Sequence, residues 1–187
     1  MIEAEVKLKI DNIEEIRKKL VSMGFSESFH GKECDRYFDD EKGNIRGTDR
    51  ALRIREVTDL QTGQVKCQIN FKDQKSDDKT MTRPEYETQV ADFAEMSHIL
   101  QALGYHVVEP KVVKERYQYS KEDMNACLDQ VEGLGSFLEL EIMVARDEEK
   151  EAALQRIEQT LDVLGYTLEH TTTISYLSQL QELQRKI

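Results

Sequence analysis

The feature that most constrains the fold is a charged side chain at every second position in one strand-like segment after another. In residues 2–10 apolar and charged side chains alternate, with Ala4 and Val6 on one side and Glu3 and Glu5 on the other. Because side chains two positions apart in a strand share a face, this segment predicts a β-strand with one apolar and one charged face.

The same charged face recurs along the chain. In chain order it consists of Glu3, Glu5 and Lys7, then Arg53 and Arg55, then Arg83, Glu85 and Glu87, then Lys114 and Arg116, then Asp129, and finally Glu139 and Glu141. The solvent-facing side of a half-buried strand ordinarily carries a mixture of polar side chains such as Thr, Ser, Lys and Gln. Repeated pairs of charged side chains are unusual there.

Two interpretations of this face are open. It is either the solvated side of an open sheet, with opposite charges paired across strands, or the lining of a cavity. For a single strand the solvated arrangement is the commoner one. Repetition along the chain favours the cavity, and a cavity of this kind needs a highly charged guest because unpaired buried charge is costly.

Turn and helix signals divide the remaining sequence. Further strand patterns lie at about 28–39, 50–57, 64–72, 83–90, 106–119, 124–132 and 137–144, and helical patterns at Ile13–Val21, Phe93–Leu103, 147–165 and 173–185. Asp11 is expected to cap the first helix and Gly24 to end it. We predict an α+β fold in which an eight-stranded antiparallel sheet closes into a barrel with flanking helices, since closure removes the sheet edges.

The length of 187 residues, of which 39% are hydrophobic, predicts a single domain over 1–187. The helices from about residue 147 are expected to pack on the apolar exterior of the barrel, because apolar residues recur there at helical spacing. These are Leu154, Ile157, Leu161, Leu164, Leu177, Leu180 and Leu183. Both a monomer and a homodimer are compatible with the sequence.

The formal net charge of −11 opposes binding to nucleic acid or to an acidic membrane, because both depend on a basic surface. No segment approaches the roughly 20 apolar residues of a membrane span, and the N-terminus lacks the apolar stretch of a signal peptide, so we expect a cytoplasmic protein. Three separated cysteines and four dispersed histidines indicate neither disulfides nor a zinc site.

A triphosphate bound with Mg²⁺ or Mn²⁺ matches the chemistry of the charged face. Hard divalent cations are held by a few carboxylates together with phosphate oxygens and water, and Arg and Lys neutralise the remaining phosphate charge. The sequence contains no glycine-rich phosphate loop, no dinucleotide fingerprint and no Ser/His/Asp or Cys/His constellation. Any phosphate is therefore expected to be bound by side chains.

Glu3-Ala4-Glu5-Val6-Lys7 resembles the ExExK signature of the CYTH superfamily, also called triphosphate tunnel metalloenzymes. Other matching segments follow in the expected order over nearly the whole chain: Tyr37-Phe38-Asp39, Ala51-Leu52-Arg53-Ile54-Arg55, Phe71-Lys72, Arg83-Pro84-Glu85-Tyr86-Glu87, Val113-Lys114-Glu115-Arg116 and Val131–Glu141. Within the superfamily, the compact length, the Tyr-Phe-Asp strand and the last of these segments are most similar to the class IV adenylyl cyclases.

The resemblance implies an eight-stranded tunnel, a divalent metal and a small triphosphate, with ATP favoured. The implied metal ligands are Glu3, Glu5, Glu85, Glu87, Glu139 and Glu141, with Glu5 and Glu141 foremost. The implied substrate-binding residues are Lys7, Arg53, Arg55, Lys72, Arg83, Lys114 and Arg116. The implied catalytic residues are Lys7, Arg53, Arg55, Lys114 and Asp129. Glu85, Glu87 and Asp129 are further expected to serve a second metal or to orient the attacking group.

The reaction expected from this resemblance converts ATP to 3′,5′-cyclic AMP and pyrophosphate by attack of the ribose 3′-oxygen on the α-phosphorus. The alternative is a metal-dependent triphosphatase acting on inorganic tripolyphosphate, thiamine triphosphate or a nucleoside triphosphate, since the same charged residues would serve it. A noncatalytic polyphosphate or nucleotide binder is a second alternative, although it would not need the carboxylates. The polar segment Asp73 to Met81 is a candidate lid.

Overall fold

The chain forms a closed antiparallel β-barrel. In the computed structural model, which describes residues 1–76 and 80–186, the strands are β1 (Ile2–Lys9), β2 (Ser26–Asp40), β3 (Ala51–Asp59), β4 (Val65–Lys72), β5 (Arg83–Val90), β6 (Tyr105–Lys121), β7 (Met124–Val131) and β8 (Gly135–Val144). Their order around the barrel is β1-β5-β4-β3-β2-β6-β7-β8. The predicted α+β fold with an eight-stranded barrel is confirmed.

The helices are α1 (Ile13–Ser22), α2 (Asn44–Gly47), α3 (Phe93–Ala102), α4 (Lys150–Leu164) and α5 (Tyr176–Arg185). The prediction that Asp11 caps α1 is wrong by one residue. Asn12 adopts the extended backbone of a cap, and its side-chain oxygen accepts a hydrogen bond from the Glu15 N–H at 3.2 Å. Among the described residues no helix has the length and apolar character needed to cross a membrane.

The main hydrophobic core lies outside the barrel, between its wall and the helices α1 and α4. It is built from the outward apolar residues of β1, β7 and β8, which alternate with the charged residues as expected from the sequence. On α4, Ile157, Leu161 and Leu164 are almost completely buried in this core. The charged faces of the same strands are left to point inward.

Helix α5 occupies a different position from the expected one. Its first turn enters the end of the barrel, where Tyr176 and Leu177 pack against Val131 and Phe137, while Leu183 is 44% exposed. Phe137 lies on the inward side of β8, two positions before Glu139, so the lining of the barrel changes there from charged to apolar. This apolar end attracts the helix into the barrel rather than onto its exterior.

The barrel is closed at β1 with help from two other segments. β1 pairs with β8 along its whole length but with β5 only at Ile2 and Glu3. Beyond that point the N–H of Met81 donates to the carbonyl oxygen of Glu5 at 2.9 Å, and the N–H of Thr172 donates to that of Lys7 at 2.7 Å. The C-terminal segment is therefore part of the barrel wall.

Candidate active site

The inward faces of the strands surround a cavity of about 580 Å³. Its lining includes every residue that the sequence assigned to metal or substrate: Glu3, Glu5, Lys7, Arg53, Arg55, Lys72, Arg83, Glu85, Glu87, Lys114, Arg116, Glu139 and Glu141. The closed barrel excludes the alternative of a solvated open sheet. The charged face of the sequence is the wall of this cavity.

On one side of the cavity three carboxylates surround an ammonium group. Lys72 Nζ pairs with Glu3, lies 3.3 Å from Glu5 Oε2, and lies 3.4 Å from Glu85 Oε2. Burial raises the pKa of Glu3 well above its usual range; Lys72 opposes this, and the charges of Glu5 and Glu85 add to it. This acidic side therefore carries more negative charge than Lys72 neutralises.

Glu141 extends the acidic side onto β8. It stands directly across from Glu5 in the register of β1 and β8, and its Oε1 accepts a hydrogen bond from Asn125 Nδ2 at 3.3 Å. Burial raises the pKa of Glu141; Arg116 opposes the shift and Glu5 reinforces it. Glu5 and Glu141 face one another across the two strands, and a cation bound between them would offset the repulsion between their charges.

The donor set of the acidic side fits a hard divalent cation. Within the described residues no three His, Cys, Asp or Glu side chains are close enough to surround a metal ion. Mg²⁺ commonly binds through one or two carboxylates and completes its shell with phosphate oxygens and water. Glu5 and Glu141 match this pattern of one or two carboxylates. Glu3 pairs with Lys72, Glu139 pairs with Arg116, and the exposed Glu87 accepts a hydrogen bond from Gln68.

On the opposite side Asp129 holds the cations of β6 in place. It is 0% exposed and lies behind the cavity wall. It accepts hydrogen bonds from Lys114 at 2.9 Å, from Arg116 at 2.7 and 2.6 Å, and from the Tyr176 hydroxyl at 3.1 Å. Both carboxylate oxygens accept hydrogen bonds from these groups, so Asp129 lies where it can orient the cations from behind.

Glu33 and Asp35 on β2 hold Arg55 in place in the same way, and neither residue was predicted from the sequence. Arg55 donates to Asp35 at 2.6 and 2.8 Å and lies 2.9 Å from Glu33, which is also 3.3 Å from Lys114. Burial would raise the pKa of Glu33, but Arg55 and Lys114 outweigh it and hold this pKa at about 2. Glu33 and Asp35 are two positions apart, as expected for inward residues of one strand. The pattern could not be recognised in the sequence because the outward face of β2 is also polar.

Lys7 has a different environment from these paired cations. It is 2% exposed, and no carboxylate oxygen of the described residues lies within 4.0 Å of its ammonium group, which is 4.5 Å from the centre of the Tyr176 ring. Burial lowers the pKa of Lys7, and the more distant Glu139 opposes the shift. Among the described residues Lys7 therefore has no ion-pair partner, and its ammonium group faces the cavity.

Arg83 organises the loops at the cavity entrance. Its guanidinium donates to the backbone carbonyl oxygens of Met81 at 3.3 Å, Asp49 at 3.1 Å and Asp73 at 3.2 Å. Further cations that sequence reasoning missed lie at this rim, namely Arg46, Arg50 and Lys75. Of the candidate lid from Asp73 to Met81, residues 77–79 lie outside the described part of the chain.

The cavity lining also includes apolar side chains. Tyr37, Met81, Ile174 and Leu177 contribute to its lining beside the charged residues. Ile174 and Leu177 belong to the C-terminal segment and entered no site prediction, because their pattern is that of ordinary helix packing. The cavity therefore offers surface for a ligand that combines phosphates with a less polar group.

Comparisons with known proteins agree with this architecture. The model of the CYTH domain family matches residues 1–176. A protein of Methanocaldococcus jannaschii that bears the provisional name adenylate cyclase is 36% identical over 177 residues, covering 95% of this chain and 97% of its own. The structure of the PH1819 protein of Pyrococcus horikoshii OT3 superposes with a TM-score of 0.86 at 32% identity, covering 97% of this chain and 99% of the other.

A more distant structure shares the fold. It is a Hippeastrum protein, provisionally an adenylyl cyclase, that is reported to have a dominant triphosphatase activity; the TM-score is 0.62 at 18% identity, with 97% of this chain and 96% of the other covered. The family match over nearly the whole chain confirms the resemblance carried by the ExExK segment and its companions. The chain belongs to the CYTH domain family.

Proposed function

We propose that this protein is a metal-dependent adenylate cyclase that converts ATP to 3′,5′-cyclic AMP and pyrophosphate. The observation that carries the proposal is one cavity whose lining combines acidic, cationic and apolar side chains. A triphosphate needs the cations and a metal, whereas a nucleoside needs the less polar surface. The adenylate cyclase name of the relative that is 36% identical supports the same choice of reaction.

The metal belongs to the acidic side. Members of the CYTH family use divalent metals, and the facing carboxylates Glu5 and Glu141 are the residues that would hold one here, together with phosphate oxygens and water. When bound, Mg²⁺ or Mn²⁺ supplies Lewis-acid polarisation of the α-phosphate and lowers the pKa of the 3′-hydroxyl. Lys72 neutralises part of the carboxylate charge on this side and is within reach of phosphate oxygens at the same place.

The cationic side binds and orients the triphosphate. Lys7, farther along β1 than Glu5, offers an ammonium group that has no ion-pair partner among the described residues. Arg53 lies 3.3 Å from Asp35 and 3.7 Å from Glu85, between the two sides. Fixed cations in a water-poor cavity stabilise the charge that develops on a pyrophosphate leaving group without reorganising first. Holding the chain of phosphates in line also places the α-phosphorus for attack by the 3′-oxygen.

Triphosphate hydrolysis is a second candidate. It is favoured by the preponderance of charged residues in the lining, because inorganic tripolyphosphate needs only the charged walls. The triphosphatase activity reported for the Hippeastrum protein shows that this fold accommodates the reaction. The two reactions differ in which nucleophile is in line, the ribose 3′-oxygen or water.

The experiment that tests the proposal follows products rather than ATP loss. The purified protein is incubated with ATP or tripolyphosphate and Mg²⁺ or Mn²⁺, beside the double variant Glu5→Gln/Glu141→Gln and the control Glu56→Gln, which alters an exposed carboxylate outside the barrel. Cyclic AMP and pyrophosphate from the wild type and the control, but not from the double variant, would support the cyclase. Orthophosphate without cyclic AMP would favour the triphosphatase, and absence of turnover would contradict both.

A further inference from the structure

Tyr176, the first residue of α5, lies among the charged groups of the site although it belongs to no strand. Its ring centre is 4.5 Å from Lys7 Nζ and 5.4 Å from Lys114 Nζ. The ring also meets Phe137 edge-on, with centroids 4.9 Å apart and planes at 69°. One aromatic side chain therefore contacts cations from two strands of the barrel.

The ring orients Lys7 in a way that a carboxylate would not. An aromatic face attracts an ammonium group through its quadrupole and leaves the net charge of that group unchanged. The other buried cations of β3 and β6 are paired with Glu33, Asp35, Asp129 or Glu139 and are thereby neutralised. Lys7 is held in position while its charge remains available to a phosphate.

The hydroxyl group connects Tyr176 to the orienting carboxylate on the opposite side. It donates to Asp129 Oδ2 at 3.1 Å, the same oxygen that accepts from Lys114 and Arg116. Burial raises the pKa of Tyr176 well above its usual range, and the charges of Glu139 and Asp129 add to this, so the hydroxyl stays protonated and remains a donor.

The backbone before Tyr176 fixes it relative to β1. Thr171 forms a bridge with Leu8, and the N–H of Thr172 donates to the carbonyl oxygen of Lys7, the residue whose ammonium the ring contacts. Ser175 then caps α5 by accepting a hydrogen bond from the Ser178 N–H at 3.1 Å. Lys7 is thus held by the C-terminal segment through both its backbone and its side chain.

We infer that Tyr176 is a positioning residue of the triphosphate site, whose ring holds the Lys7 ammonium toward the cavity, so that residues 171–176 form part of the binding site. The inference deepens the proposed function and rests on it for the identity of the ligand. It does not depend on which reaction follows binding, because both candidate reactions need the triphosphate bound.

A double-mutant cycle between Tyr176 and Lys7 tests this inference. Affinity for inorganic tripolyphosphate is measured by calorimetry, without metal and with a chelator present, for the wild type, Tyr176→Phe, Tyr176→Leu, Lys7→Met and the double variant Lys7→Met/Tyr176→Leu. Leu183→Ala, an exposed change on the same helix, is the control. Thermal unfolding of each variant identifies any that fail to fold.

Tyr176→Leu is expected to weaken binding roughly three- to thirtyfold, the span from a partly exposed to a desolvated cation–π contact, whereas Tyr176→Phe keeps the ring and should bind within about twofold of the wild type. In the Lys7→Met background Tyr176→Leu should have almost no further effect, because the group that it positions is gone. A merely structural role of Tyr176 would leave its effect undiminished in that background.

Two results would overturn the inference: wild-type affinity in Tyr176→Leu, or an equal loss of affinity with and without Lys7. If Tyr176→Phe is as weak as Tyr176→Leu, the ring is not the positioning element and the inference also fails. A wild type that binds tripolyphosphate in a Tyr176-dependent manner yet forms no cyclic AMP would contradict the proposed cyclase and support the inference, so the two failures are distinguishable.

Discussion

Lys7 and Arg116 are buried in the same cavity but differ in what surrounds them. Arg116 donates to both oxygens of Asp129 and pairs with Glu139, while Lys7 contacts the ring of Tyr176. Removing one partner of a buried ion pair leaves the other charge uncompensated. Removing an unpaired buried charge eliminates a desolvation cost instead. The two cations should therefore contribute differently to stability and to ligand binding.

We predict that Lys7→Met lowers turnover roughly a hundredfold and leaves the free energy of unfolding unchanged or slightly higher. Arg116→Met should instead destabilise the protein by about 3–5 kcal/mol, because Glu139 loses its ion-pair partner and Asp129 loses one of its two cations. Urea unfolding monitored by circular dichroism, combined with product assays, measures both quantities. Equal destabilisation by the two substitutions would contradict the distinction between paired and unpaired cations.

The pairing of Glu33 with Arg55 and Lys114 predicts a particular acid dependence. The pKa of Glu33 falls from 4.5 to about 2 on folding, so the stability it contributes is fully present above about pH 4.5 and is lost as the pH falls toward 2. A depression of this size corresponds to on the order of 3 kcal/mol at neutral pH. Glu33→Gln cannot titrate and should lack this contribution.

Urea unfolding between pH 7 and pH 2.5 checks the prediction for Glu33. The difference in unfolding free energy between the wild type and Glu33→Gln should be largest near pH 7 and shrink below about pH 4.5. The exposed Glu56→Gln controls for the loss of one carboxylate from the whole chain. A difference that stays constant across this pH range would show that Glu33 acts through packing and not through its charge.

At the scale of single residues, the sequence revealed those site residues whose strands have one apolar and one charged face. Glu3, Glu5 and Glu141 are of this kind, because their strands bury the other face under helices. Glu33 was hidden because its strand is polar on both faces. Tyr176 carried no signal, since a tyrosine at a helix start is ordinary and only the folded chain brings it to Lys7.

Among the elements, the short helix α2 shows how a non-catalytic carboxylate shapes the rim. Asp39, buried at 6% exposure, accepts hydrogen bonds from the N–H groups of Ile45 at 2.9 Å and Arg46 at 3.1 Å. Arg46 in turn donates to Gln181 of α5 at 2.6 Å. Asp39 therefore holds α2, and with it a rim cation, in place.

We predict that Asp39→Ala destabilises the protein by about 1–2 kcal/mol, the usual cost of losing a helix-capping carboxylate. It should also raise the KM for the triphosphate by the same factor as Arg46→Ala, because Arg46 is displaced when α2 loosens. Thermal unfolding and steady-state kinetics of both variants provide the comparison. A rise in KM far beyond that of Arg46→Ala would show that Asp39 acts on the site directly.

Strands and long helices were predictable because their apolar periods are local properties of the sequence. The helix α2 was not, since it has only the residues Asn44–Gly47 and depends on Asp39, which lies outside it. The location of α5 was not predictable either. A leucine stripe fits any apolar surface, and the one that binds Leu177 is created by Val131 and Phe137 at the end of the closed barrel.

At the scale of the whole molecule, the net charge of −11 and the charge of the cavity are separate properties. Burial raises the pKa of Glu3 and Glu141, and neighbouring carboxylates add to both shifts, whereas Lys7, farther along β1, has no ion-pair partner among the described residues. A metal ion bound between the carboxylates and an anion bound at Lys7 attract one another within one cavity. Each ligand should therefore raise the affinity for the other.

We predict that Mg²⁺ or Mn²⁺ and tripolyphosphate together raise the midpoint of thermal unfolding by more than the sum of their separate effects. Ligands at a hundredfold excess over Kd stabilise by about 2.7 kcal/mol, or roughly 5–10 °C for a domain of this size. Glu5→Gln/Glu141→Gln should abolish the part that depends on metal, and Lys7→Met should reduce the part that depends on the anion. A chelator should reverse the joint increase in the wild type. If the two increases in the unfolding midpoint are strictly additive, the metal and the anion do not interact in the cavity. The acidic and cationic residues would then serve separate ligands.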